Sequence, residues 1–166
     1  MATSTHQYNI EVEWTGNKGS GTAGYNSYER SHTVKTGSKT AIECSSDPAF
    51  RGDPDVYNPE ELFVSSISSC HMLWYLHLCT KAGIVVLEYN DIASGVMIEN
   101  EDGSGYFKEI WLHPVVRVAD ETMIATANSL HEEAHKYCFL ANSVNFPVGC
   151  KPTCIVESYY DYIKRI

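Results

Sequence analysis

Tyr8, Ile10, Val12 and Trp14 alternate with Asn9, Glu11 and Glu13, the two-residue period of a half-buried strand. Gly16, Gly19, Gly21 and Gly24 turn the chain into a second extended stretch, Tyr25 to Val34, so residues 8–36 read as an N-terminal β-meander. Residues 37–57 carry Gly37, Pro48, Gly52 and Pro54 among serines and aspartates with little periodicity, and read as a loop. At about 20 residues it is long for a compact domain, a length that usually signals function or an interface. Arg51 lies within it.

Asn58 is a good N-cap, Pro59 suits the first helical position, and Glu60 and Glu61 complement the helix dipole in the first turn. Apolar residues recur from Leu62 to Leu78 and Gly83 supplies a stop, which predicts a long helix over residues 58–82, about 35 Å in length. Ser65, Ser66, Ser68, Ser69, His71 and His77 break up its apolar run, so it reads as a core helix covered on most sides and not as a membrane span. Residues 84–118 read as two strands of a β-hairpin around Glu101-Asp102-Gly103. Asp120 opens a second helix over 120–138, and residues 153–163 read as a closing strand. The order is β, β, long helix, β, β, helix, β, an α+β fold with mostly antiparallel pairing in a single domain, residues 1–166.

The net charge of −9 and the absence of a basic cluster argue against nucleic acid and anionic membrane as partners. Met1 to Ile10 lacks the apolar segment of a signal peptide, which makes the expected location cytoplasmic. Six cysteines in 166 residues are too few for a disulfide scaffold, so a disulfide here is expected to be catalytic and not structural. Cys44, Cys79, Cys150 and Cys154 read as small core hydrophobes, although Cys150 and Cys154 are spaced closely enough to pair or to hold a metal. Cys70 and Cys79 lie about 900° apart around one helix and face opposite ways.

Two chemistries compete. His131-Glu132-Glu133-Ala134-His135 matches H-E-x-x-H, in which two histidines bind zinc and Glu132 acts as base. The motif lacks the extended spacing that supplies a third ligand; Glu157 serves only if its strand folds back, and the plain alternative is a polar helix face. The other candidate is a thiol site at Cys70 and Cys138.

The run Asn58-Pro59-Glu60-Glu61-Leu62 followed by Cys70, the helix ending His135-Lys136-Tyr137-Cys138, and Asn142 and Ser143 beyond it resemble the OsmC/Ohr family of thiol-dependent hydroperoxide reductases. With Trp14-Thr15-Gly16 the resemblance spans nearly the whole chain. It implies an intertwined homodimer whose two long central helices pack together between the sheets. It further implies Cys70 as the peroxidatic cysteine, Cys138 as the resolving one, Glu60 as the site carboxylate, and an arginine that steadies the thiolate. Arg51 is the first candidate, because that loop supplies an arginine in the OsmC branch. Lys18, at the glycine-rich turn used by the hydroperoxide-reductase branch, and Arg30 are alternatives; a lysine is a point charge without the planar fork. Phe139 replaces the proline of that branch, which places the chain in the broader OsmC-like group. The implied partners are an organic hydroperoxide, a dithiol reductant and a second copy of the chain, with no cofactor.

A free thiol is only about 3% ionised at pH 7, and Cys70 lies too deep in its helix to gain much from the dipole. A cation must therefore ionise it and also stabilise the departing oxygen. Glu60 and Cys70 are ten residues apart, about 15 Å along one helix and some 80° around it, so one guanidinium cannot touch both in one subunit. The site is thus expected to take Glu60 from the partner's helix. Phe63, Ile67, Met72 and Trp74 could line an entrance for an organic peroxide, and His135 could tune Cys138. The readings from other classes are a zinc hydrolase at His131 and His135, and a non-catalytic dimer that binds a small ligand in the same cleft.

Overall fold

The computed structural model describes residues 4–166, so Met1 to Thr3, the start of the segment read as lacking a signal peptide, lie outside the described residues. The chain divides into two compact units, Met1–Leu62 and Phe63–Ile166.

In the first unit, β1 (Glu11–Trp14), β2 (His32–Lys35) and β3 (Ile42–Cys44) form an antiparallel sheet in that order, with Val12 opposite Val34 and Val34 opposite Ile42. Alternation correctly marks β1 as a strand, yet all four of its residues are exposed and not half-buried, because nothing among the described residues covers its apolar face. The second extended stretch begins only at His32. Upstream, the Asn17 side-chain oxygen accepts the Gly19 and Gly21 amides at 2.8 and 3.0 Å and closes a compact turn instead.

The expected loop over 37–57 is more ordered than its composition implies. It holds β3 and a 3₁₀ turn, Pro48–Phe50, whose first amides are capped by Asp47. Ser45 ties the segment down: its amide donates to the Tyr57 carbonyl at 3.0 Å and its hydroxyl accepts the Asp53 amide at 3.1 Å. Arg51 closes the turn in the left-handed region, at φ 67°. The next residue has to be glycine, since a Cβ on Gly52 would sit 1.5 Å from the Ser46 carbonyl oxygen.

Helix α1 (Pro59–Lys81) starts with a reciprocal cap, the Asn58 side chain accepting the Glu61 amide at 2.8 Å and the Glu61 carboxylate accepting the Asn58 amide at 3.1 Å. It stops at Gly83, whose φ of +72° lets the Ile84 amide reach back to the Cys79 carbonyl. By length and composition alone α1 could cross a bilayer, and only 28% of its most apolar window is buried. Its buried residues are Ile67, His71, Tyr75, Leu78 and Cys79, a single stripe at three- and four-residue spacing. The expectation of cover on most sides therefore fails for one chain: the sheets reach one face, and Leu73 on another is 63% exposed.

The expected two-stranded hairpin is four strands. β4 (Val86–Asp91) and β5 (Ser94–Glu99) run out, and β6 (Gly105–Leu112) and β7 (Pro114–Val118) return antiparallel to them. The hairpin breaks at Ile92-Ala93 and at His113, so its base pairs as β4 with β7 and its tip as β5 with β6, in separate sheets. Asp91 holds the break, accepting the His113 amide at 2.7 Å and the Ser68 hydroxyl of α1 at 2.5 Å.

Asp120 caps a 3₁₀ turn that leads into α2 (Ile124–Tyr137), which ends one residue short of Cys138. Two short parallel strands follow, β8 (Val148–Cys150) on β6 and β9 (Thr153–Ile155) on β7. The closing strand expected over 153–163 stops at Ile155, and Tyr159–Ile163 forms a short helix, α3. Its start is fixed by Ser158, whose hydroxyl accepts the Asp161 amide, and by Glu88 of β4, which accepts the Tyr159 amide at 2.9 Å and the Arg117 guanidinium at 2.8 Å. Two apolar clusters form the core of this unit. One gathers Tyr75, Leu78 and Cys79 with Val116, Val118, Ala127, Ala134 and Cys154, and the other Ile67 with Ile110 and Leu112.

Candidate functional site

Cys70 sits mid-way along α1 and is half-buried, whereas Cys138, where α2 gives way to extended backbone, is fully buried. The two side chains are close enough to interact. Burial pushes the Cys138 thiol up to about 11; the Ala141 backbone pulls it down, and a hydrogen bond with the Cys70 side chain raises it again. Cys138 Sγ also lies 4.0 Å from the Ile67 carbonyl, one turn before Cys70. All six cysteines are free thiols. The pair is therefore asymmetric, with the more accessible sulfur on α1 and a buried, protonated one beside it.

The other residues implied by the resemblance lie in the first unit. Lys18 is engaged with Glu29 at 2.5 Å, and Arg30 stacks on the Tyr25 and Tyr28 rings at 4.5 and 4.3 Å while donating to the Tyr28 carbonyl. Arg51 is exposed and has its guanidinium 5.6 Å from the Tyr25 ring. Glu60 follows the Asn58 cap in the first turn of α1, and its neighbour Glu61 is the one consumed in capping. Of the apolar residues proposed for an entrance, Ile67 is fully buried core, and Phe63 packs on Phe107 and Phe146 at 5.2 and 6.1 Å. Trp74 is partly open and stacks on Tyr137 at 5.1 Å.

Of the H-E-x-x-H histidines, which line one cavity, the first joins a group outside the motif. His131 is buried, and its Nδ1 lies 3.0 Å from Nε2 of His71 on α1, while Tyr75 stacks on its ring at 3.8 Å. Cys150 Sγ completes the group, 3.7 Å from His71 Nε2. Burial holds His71 down at about 4 and His131 at about 3, and pushes Cys150 up to about 12. His71 escaped the sequence reading because it looks like one polar interruption in an apolar helix. Its spacing of four residues from both Ile67 and Tyr75, the buried stripe, was the available signal.

These features define a class, an α+β protein with a helix-borne thiol facing a second thiol at the end of another helix. The model of the OsmC family, described as OsmC-like protein, matches residues 52–152, and the chain belongs to that family. An OsmC-like protein of unknown function from Vibrio cholerae is similar at 28% identity and TM-score 0.80, over 89% of this chain and 99% of that one. An organic hydroperoxide resistance protein from Elizabethkingia anophelis shares the fold at 22% identity and TM-score 0.64, over 93% of this chain and 100% of its own. One from Legionella pneumophila does so at 14% and 0.65, over 92% and 98%. No curated protein matches the chain.

Proposed function

We propose that the protein reduces organic hydroperoxides with Cys70 as the attacking thiolate and Cys138 as the resolving thiol. The observation that carries this reading is the contact between the two side chains, one half-exposed and one buried and protonated. The Cys70 thiolate attacks one peroxide oxygen, the O–O bond breaks, and the alcohol leaves after taking up a proton, so that Cys70 becomes a sulfenic acid. Cys138 displaces water from it to form the disulfide, and an external dithiol returns both thiols. The names of the two hydroperoxide resistance proteins support the substrate class.

The cation at Cys70 is assigned to Arg51. Lys18 and Arg30 are each occupied by close partners, whereas Arg51 is exposed and held in a left-handed conformation that costs energy and persists where the surroundings enforce it. The uncovered faces of α1 and β1 are assigned to a second copy of the chain, whose antiparallel α1 brings Glu60 to the arginine.

Stopped-flow consumption of cumene hydroperoxide and hydrogen peroxide tests the reading on wild type, Cys70→Ser and Cys138→Ser. Wild type should turn over with preference for cumene hydroperoxide, and Cys138→Ser should complete about one turnover and stop at the sulfenic acid. Wild-type consumption no faster than that of Cys70→Ser would end the reading.

A further inference from the structure

His71, His131 and Cys150 come from three separate elements, α1, α2 and β8, and none belongs to the Cys70–Cys138 pair. One donor atom from each lies within 4.8 Å of the others. His71 Nε2 is the shared corner, 3.0 Å from His131 Nδ1 and 3.7 Å from Cys150 Sγ. With zinc–nitrogen bonds of about 2.05 Å and a zinc–sulfur bond of about 2.3 Å, a tetrahedral site has N···N edges near 3.3 Å and N···S edges near 3.6 Å. Two edges of the cluster therefore already lie close to those of that tetrahedron, and the third is no longer than 4.8 Å.

Hydrogen bonding alone does not satisfy it. Two neutral imidazoles joined by one N–H···N bond have one further N–H between them, on His71 Nδ1 or His131 Nε2. Both of those atoms are buried and without a partner among the described residues, on side chains that are 0% and 2% exposed. Two imidazoles have thus been taken out of water and left incompletely paired beside a half-buried thiol, which is costly unless something else binds them. Access exists: a cavity of about 420 Å³ is lined by His131 and Cys150 together with Glu132, His135 and Lys136.

The geometry points to a zinc site formed by His71 Nε2, His131 Nδ1 and Cys150 Sγ, with a fourth position open to a water or anion entering from this cavity. The donor set is imidazole and thiolate, which suits a borderline-soft divalent ion and excludes magnesium and calcium. Binding displaces the Cys150 thiol proton to solvent and fixes both histidine protons on the outer nitrogens. Neither outer N–H has a carboxylate or carbonyl to receive it among the described residues, and such support is worth about ten- to a hundredfold in affinity, so the ion should exchange and not be held permanently. The H-E-x-x-H motif thus contributes its first histidine to a site that its second does not complete.

The test uses full-length protein in a Cys70→Ser background, which removes the neighbouring thiol pair as a competing ligand. Chelator-stripped protein is titrated with zinc against a chromophoric competitor, and separately with cobalt. The expected result is about one zinc per chain and a cobalt–thiolate charge-transfer band in the near ultraviolet with tetrahedral visible bands. Cys150→Ser should abolish the band and weaken zinc about a hundredfold or more with an unchanged circular dichroism spectrum, while Cys154→Ser leaves both intact. Failure to bind zinc at micromolar concentration, or a cobalt spectrum unaffected by Cys150→Ser, overturns the site. Peroxide consumption by the wild-type thiols is read separately and does not depend on either result.

Discussion

Asn58 and Glu61 cap each other: each side chain accepts the other's backbone amide, at 2.8 and 3.1 Å. Asn58 is also buried, so removing its side chain both frees a helix-end donor and leaves space unfilled. Asn58→Ala should lower stability by about 1–2 kcal/mol, measured as a fall in urea midpoint, while Asn58→Ser keeps most of it. Equal losses in the two variants would show that packing and not capping holds the start of α1.

Arg51 separates strain from function. Its φ of 67° costs a non-glycine residue about 1 kcal/mol, so Arg51→Gly should hold or raise the urea midpoint. If its guanidinium serves Cys70, the same variant should lose about tenfold or more in peroxide rate. Lys18→Gln and Arg30→Gln, measured alongside, should retain the rate; a variant ranking led by either would move the assignment to that residue.

Leu73 lies off the buried stripe of α1 and is 63% exposed, so a carboxylate there leaves the fold of one chain intact. Light scattering on an eluting sample should find wild type as two copies and Leu73→Glu as one. A monomeric Leu73→Glu that keeps full peroxide rate would refute a site completed by the partner.

Glu88 docks the C-terminal helix. The Tyr159 amide, and secondarily Arg117, hold its carboxyl below the usual 4.5. Because the folded value is the lower one, this contribution is complete above 4.5 and disappears as pH falls through the folded value. Amide exchange over Tyr159–Ile163 should therefore accelerate in that acidic window, and Glu88→Gln should show the fast exchange already at neutral pH. Pressing Glu88→Gln further down in pH should then change little.

Local signals were readable where they are self-contained. The cap at Asn58, the stop at Gly83 and the alternation of β1 each arise from residues within a turn of one another, and the sequence marks all three. The long-range events were not. Nothing local says that the hairpin breaks at Ile92-Ala93 and His113, because the break is held through Asp91 by Ser68, more than twenty residues upstream of it. The strand β8 escaped for the same reason and β9 was read too long, to residue 163: three residues apiece have no period to detect, and they exist only because β6 and β7 offer edges. The α+β class followed from the order of the predicted elements, and the OsmC-like membership from the cysteine and helix-start pattern. The His71 cluster did not, since its three members are separated by up to 79 positions.

The broken hairpin has a consequence for the order of folding. Its base and tip keep one register across the break, Asp91 opposite Pro114 and Ser94 opposite Trp111. A bulge between Val96 and Met97 offsets the outer half of the tip by one residue, so the pairing nearest the Asp102-Gly103 turn does not dictate that of the base. The parallel strands join last, because their pairing must close long loops onto edges that the hairpin first has to build. Cys150 is therefore among the final side chains to reach its place, and the convergence of its sulfur on His71 is a late event that reports the whole second unit as assembled.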